Sequence, residues 1–223
     1  MSSQYEIEIK SLLGSPERAA KLKTKIKERG GVFLNSNKQL NHYFLVFDIK
    51  KFRDNLLSHL EESKKESFRK IIEEGRDFSI RTRDVDGKVI LVVKASLGSD
   101  TSANGISRME FESEMKMTLD DLDKLLLGAG LEYQAKWSRE REEYKLGNIN
   151  ICLDKNAGYG YLAEFEKVVT DRALVDSVKN ELLEIMSGFE VEELPQDRLE
   201  RMFSFYNDNW RNYYGTDKIF NIT

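Results

Sequence analysis

The 223-residue sequence predicts an α+β fold built on a largely antiparallel sheet. Three observations lead there. Eight segments alternate apolar and polar residues with the period of half-buried strands: 5–12, 39–47, 78–83, 89–94, 108–117, 133–144, 149–154 and 161–168. Two turn dipeptides, Asp86-Gly87 and Gly147-Asn148, each join neighbouring segments as hairpins. Helical patterns lie between and after these segments.

The helices follow from their own signals. Ser15-Pro16-Glu17 supplies an N-cap, a proline at the first helical position and an acid in the first turn. Ala20, Leu22 and Ile26 continue that helix, and Gly30-Gly31 stops it. Thr118 caps a second, with Leu119, Leu122, Leu125 and Leu126 as its apolar stripe. Asp171 opens a third, carrying Leu174, Val178, Leu182 and Ile185. An aromatic segment at about 196–214 predicts a C-terminal helix with Phe203, Phe205, Tyr206, Trp210, Tyr213 and Tyr214. Residues 52–74 read as a helical pair interrupting the sheet pattern, an insertion at about 50–76 that could be a lid, a homodimer contact or decoration. Residues 32–34 read as a further short strand, and 98–105 as a polar loop. With no internal repeat and no proline-rich linker, the expectation is a single domain over 1–223.

Composition narrows the function. The net charge of −4 gives no global pull toward duplex nucleic acid or an anionic membrane, so an anion site must come from local clustering. No apolar run approaches the length of a membrane span. The acidic, alternating N-terminus does not resemble a secretory signal, and a single cysteine, Cys152, fits a reducing cytoplasm. Two histidines far apart in sequence, His42 and His59, argue against a histidine-based zinc site.

The polar faces carry the functional information. Residues i, i+2 and i+4 of a strand share a face, so Glu6, Glu8 and Lys10 line one side, opposite Tyr5, Ile7 and Ile9. Arg81 and Arg83 share a face, as do Arg139 and Arg141, and Lys136 falls on the other parity from that pair. Glu164 and Glu166 share one; Arg108, Glu110, Glu112 and Glu114 share another; Lys94 ends the fourth segment. A single alternating strand is explained by a solvated face. Like charges segregated within strands are destabilising unless a counter-charge arrives. Clustered carboxylates suit Mg²⁺ or Mn²⁺, and guanidinium groups fork onto phosphate oxygens. A closed barrel with charged faces inward and apolar faces under the helices would satisfy all of these strands. Such an interior must hold water, metal and a polyanion, because dry unpaired charges are too costly.

These residues resemble the CYTH family, the triphosphate tunnel metalloenzymes. Its E-x-E-x-K signature is matched by Glu6, Glu8 and Lys10, and its R-x-R strand by Arg81 and Arg83, followed by Lys94. Its K-x-R-x-x-Y pattern resembles Arg139-x-Arg141-x-x-Tyr144, with arginine in place of lysine. Leu153-Asp154 and the series Gly158, Gly160, Glu164 and Glu166 complete the order. The resemblance implies an eight-stranded antiparallel closed β-barrel, the triphosphate tunnel, flanked by helices. It implies Glu6, Glu8, Glu110, Glu112, Asp154, Glu164 and Glu166 as residues that hold or orient Mg²⁺ or Mn²⁺. Lys10, Arg81, Arg83, Lys94, Arg139 and Arg141 are implied as the triphosphate cradle, with Lys10, Glu6 and Glu8 at the catalytic centre. Arg201 or Arg198 would correspond to a basic residue on the C-terminal helix that reaches substrate. The implied activity is metal-dependent hydrolysis of tripolyphosphate, thiamine triphosphate or a nucleoside triphosphate. The alternatives are a class IV adenylyl cyclase and a non-catalytic polyphosphate binder. Cys152 reads as an inert buried thiol, and Trp210 or Tyr206 as aromatic residues able to contact an organic moiety.

Overall fold

A computed structural model describes residues 5–96 and 108–222; the polar loop expected at 98–105 lies outside them. The strands are β1 (Tyr5–Leu12), β2 (Val32–Leu45), β3 (Arg76–Val85), β4 (Lys88–Ser96), β5 (Arg108–Glu114), β6 (Glu132–Leu146), β7 (Ile149–Asn156) and β8 (Gly160–Val169). The helices are α1 (Pro16–Glu28), α2 (Ile49–Leu56), α3 (Glu62–Glu74), α4 (Leu119–Gly128), α5 (Val175–Gly188) and α6 (Gln196–Asn209). The strands form one sheet in the order β1-β8-β7-β6-β2-β3-β4-β5. Every pairing whose register is described is antiparallel.

The expected short strand at 32–34 is the beginning of β2, which continues through the polar stretch 35–38. The Asn35 and Asn37 side chains there donate to the Glu143 carboxylate at 3.4 and 3.3 Å, so the polar residues are engaged rather than looped out. Both expected hairpins form. Asp86 and Gly87 each have positive φ, the type I′ geometry, and Gly147 alone is positive in the second turn.

The sheet is not closed into the expected barrel. Among the described residues, β1 and β5 are its two ends and do not pair with each other. Each of these two strands accepts one bond from another segment. The Lys10 carbonyl of β1 accepts the Leu194 N–H at 2.7 Å, and the Glu112 carbonyl of β5 accepts the Lys64 ammonium at 3.1 Å.

The chain divides into two compact units. The first holds residues 5–37 and 138–222. Its apolar sheet face presents Ile7, Ile9, Ile151 and Phe165 to Leu22 and Ile26 of α1 and Val178, Leu182 and Met186 of α5. The second unit holds residues 38–96 and 108–137. There Ile80, Leu91, Val93 and Phe111 meet Phe52 and Leu56 of α2, Phe68 and Ile71 of α3, and Leu122 and Leu126 of α4. The helical pair expected as a lid, dimer contact or decoration is built into this core: Phe52, Leu56 and Phe68 are fully buried. No helix of the described residues is long and apolar enough to cross a membrane.

The C-terminal segment returns onto the turn between β7 and β8. Gly158 N–H donates to the Lys218 carbonyl at 2.9 Å, and Phe220 N–H donates to the Gly158 carbonyl at 2.8 Å. Tyr159 there contacts the rings of Phe203, Tyr206 and Phe220. Gly158 has φ +84°, and an added Cβ would lie 2.7 Å from the Tyr206 ring and 2.9 Å from the Phe220 ring. Gly158→Ala should therefore cost about 2–4 kcal/mol, combining left-handed strain with overpacking. Gly14 also has positive φ but faces open space, so Gly14→Ala should cost only about 1 kcal/mol. Urea unfolding of the two variants against wild type checks the difference.

Candidate functional site

The first unit gathers most of the expected residues on the polar face of four strands. Glu6, Glu8 and Lys10 are half-buried, alternating with buried Ile7 and Ile9. Register places Glu8 directly opposite Glu166 and Lys10 directly opposite Glu164. On β7 the same face carries Asn150, Cys152 and Asp154, and on β6 Arg139 and Arg141.

Asp154 is the anchor of this face, 1% exposed. Its Oδ1 accepts Arg141 Nε at 2.7 Å, and its Oδ2 accepts Arg141 Nη2 at 2.6 Å and Arg139 Nη1 at 3.0 Å. Arg141 also donates to Glu164 Oε2. Glu164 Oε1 lies 3.5 Å from the Lys10 ammonium, which also pairs with Glu8. Burial alone would raise the Glu164 carboxyl, but Lys10, Arg141 and Arg139 hold it well below the usual carboxylate range. Burial alone would lower Arg141, but Glu164 and Asp154 keep it well above its ordinary value.

Among the described residues, no group of three or more His, Cys, Asp or Glu side chains forms a ready-made metal cage. The reason is visible: Glu8, Asp154 and Glu164 have turned their oxygens to lysine and arginine. The donor set nevertheless fits a hard divalent cation. Glu8 and Glu166 are like charges in direct opposition; the Lys10 ammonium pairs with Glu8, and the Asn150 side-chain amide donates to Glu166 at 3.4 Å. Among the described residues, Glu6, Glu8, Asp154, Glu164 and Glu166 face Lys10, Arg139 and Arg141, an excess of two negative charges. Glu143 and Lys145 share that face and offset each other. Oxygen-only donors with that surplus suit Mg²⁺ or Mn²⁺.

The second unit holds a basic face. Arg81 Nη1 donates to Tyr43 Oη at 2.8 Å, the guanidinium lies 5.5 Å from that ring, and Glu110 is 3.9 Å away. The Arg81 Nε is buried without a hydrogen-bond partner. Arg83 Nε donates to Asn41 Oδ1 at 2.9 Å and its Nη1 to Glu112 at 3.3 Å. Lys94 lies 3.3 Å from Glu110. Glu110 and Glu112 thus serve the basic side chains as counter-charges.

Further positions singled out in the sequence have these surroundings. Arg201 donates to Asp197 at 2.7 Å on an exposed part of α6, while Arg198 donates to the Ile222 carbonyl at 3.1 Å. Tyr206 is fully buried among aromatic rings and cannot meet a ligand. Lys136 points away from Arg139 and Arg141 and lies 3.6 Å from Asp123. Cys152 is buried, and that burial pushes its thiol up to about 12, so it is inert as a nucleophile.

The sequence reading missed Asn41 and Tyr43, which hold Arg83 and Arg81, and it missed Glu143. Their parity was legible in the run Asn41-His42-Tyr43, but only the β2–β3 register shows which arginine each one meets.

The CYTH domain family model matches residues 61–198, more than half of the chain. The chain belongs to the CYTH family. No curated protein matches. Among solved structures, a conserved hypothetical protein of Pyrococcus furiosus is 18% identical with a TM-score of 0.61, covering 84% of this chain and 92% of that one. A provisionally named adenylate cyclase of Vibrio parahaemolyticus is 14% identical with a TM-score of 0.60, covering 91% and 99%. A provisionally named adenylyl cyclase of Hippeastrum, with a dominant triphosphatase activity, is 16% identical with a TM-score of 0.55, covering 91% and 96%. At these identities the likeness shows the fold.

Glu164→Gln should lower stability at pH 7 by about 3 kcal/mol, because it removes the buried carboxylate that Arg141 and Lys10 share. A carboxyl held low in the folded state contributes in full above its unfolded value near 4.5. That contribution is lost as pH falls from there toward the folded value. Urea unfolding of wild type and variant from pH 7 to pH 3 should show the difference between them shrinking below about pH 4.5.

Proposed function

We propose that this chain hydrolyses a triphosphate with Mg²⁺ or Mn²⁺ as cofactor. The observation that carries the reading is the first unit's sheet face, where a two-charge surplus of carboxylates surrounds arginines already oriented by Asp154. A pure anion binder has no use for that surplus. The dominant triphosphatase activity of the Hippeastrum relative supports the same choice.

Glu8, Glu164 and Glu166, with Glu6 beside them, would hold the ion. When bound, it supplies Lewis-acid polarisation and charge neutralisation at phosphoryl oxygens. The chain's own residues bind and orient. Asp154 fixes the planes of Arg139 and Arg141, so both guanidinium groups present donors without further reorganisation. Lys10 is a point charge that binds a phosphoryl oxygen. A phosphate at Lys10 competes with Glu8 for its ammonium and so releases the Glu8 carboxylate. Arg81, Arg83 and Lys94 are proposed as further phosphate contacts, each restrained by a neighbour on its own unit. Arg81 and Arg83 differ from lysine here, since their planar forks also bond Tyr43 and Asn41.

Turnover tests the reading. With Mg²⁺ or Mn²⁺, the protein should release inorganic phosphate from tripolyphosphate, thiamine triphosphate or a nucleoside triphosphate, and EDTA should abolish it. Glu166→Gln should lower kcat/KM by about 10²-fold or more. Cyclic AMP and pyrophosphate as the products from ATP would instead establish the cyclase reaction. Full turnover in Glu166→Gln would remove the ligand assignment.

A further inference from the structure

The basic face of the second unit is braced from behind by a buried carboxylate. Asp123 of α4 is 2% exposed in an apolar core whose other α4 contributors are Leu119, Leu122 and Leu126. Its Oδ1 accepts Thr82 Oγ1 at 2.6 Å. Its Oδ2 lies 2.6 Å from His42 Nδ1, accepts Tyr133 Oη at 2.6 Å, and is 3.6 Å from the Lys136 ammonium. The Lys136 ammonium also sits 4.3 Å from the centre of the Tyr133 ring. Burial alone would raise the Asp123 carboxyl; the bonds from His42, Thr82 and Tyr133 outweigh it and keep the group below its usual value.

The placement of these partners gives the network its meaning. Thr82 lies between Arg81 and Arg83 on β3, His42 lies between Asn41 and Tyr43 on β2, and the two stand opposite each other in the register. Their neighbours on the other face are the bonded pairs Asn41–Arg83 and Tyr43–Arg81. One carboxylate therefore ties both strands at the step that carries both guanidinium groups. Burying an ion in an apolar core is costly, and an apolar side chain at 123 would pack without that cost. Tying the strands gives the charge a purpose beyond packing.

We infer that Asp123 is a positioning residue for phosphate recognition, fixing β2 against β3 so that Arg81 and Arg83 are presented in one geometry. The inference rests on the triphosphate reading above and names the device that tunes its affinity. Small displacements of such groups weaken binding strongly, because the donors no longer meet the oxygens together.

The test is calorimetric binding of tripolyphosphate to wild type, Thr82→Val, Thr82→Ser and Asp123→Asn, with a thermal melt of each. Thr82→Val removes the hydroxyl donor at nearly constant shape, and Thr82→Ser restores it. The dissociation constant should rise about tenfold in Thr82→Val and Asp123→Asn, and stay within about twofold of wild type in Thr82→Ser. Should Asp123→Asn fail to fold, the Thr82 pair still decides. Wild-type affinity in Thr82→Val, whatever its melting temperature, would show mere bracing and overturn the inference alone. Failure of Thr82→Ser to restore affinity would overturn it too. A wild type that binds none of tripolyphosphate, thiamine triphosphate and ATP would sink the triphosphate reading and this inference together; where one of the latter two binds instead, it replaces tripolyphosphate in the comparison.

Discussion

Arg141, held between Asp154 and Glu164, is the interaction on which the rest of the charged face depends. Two acids from neighbouring strands share one guanidinium on a face that is largely out of water. Each of the three charges would be prohibitive alone there, and together they are tolerated. They reinforce the register that the apolar face sets, since a one-residue slip of β6, β7 or β8 would turn that strand's charged residue toward the core. Arg139 and Lys10 extend the same network outward to β1.

The network is compensated but not neutral. Glu8 and Glu166 remain opposed across β1 and β8, and the acids outnumber the cations. Stability alone does not select such a surplus, because like charges facing one another destabilise a sheet. The proposed cation site, with an anion beside it, would account for the surplus. The second unit has the complementary character. Its arginines are held through hydrogen bonds from Tyr43 and Asn41 and through the carboxylates of Glu110 and Glu112, while Asp123 secures the strands beneath.

Much of this was legible in the sequence because strand parity is a local property. Glu6, Glu8 and Lys10 declare a common face by spacing alone, and the alternation of Arg139 with Arg141 and of Glu164 with Glu166 does the same. The two hairpins were legible because Asp86-Gly87 and Gly147-Asn148 meet specific φ requirements. Pairing across distant strands was not. That Asp154 would occupy both arginines, and that Lys136 would turn to Asp123, depends on registers set by the whole sheet. Barrel closure was expected from the charge pattern, but that pattern constrains faces and is silent on edges. Here Leu194 and Lys64 each bond one carbonyl of a terminal strand. The 52–74 segment reads as an insertion because it interrupts the strand series, yet Phe52 and Phe68 are part of the second unit's core, which depends on distant strands.

The central claim, that the acid-rich face is a divalent-cation site completed by a polyphosphate, is tested most directly by counting bound Mn²⁺ from the paramagnetic resonance signal of the free ion. Beyond the Mn²⁺ that the same concentration of tripolyphosphate holds without protein, wild-type protein should show further saturable Mn²⁺ binding, weakened about tenfold or more in Glu166→Gln. Equal Mn²⁺ binding in wild type and Glu166→Gln, or no saturable binding in either, would contradict it.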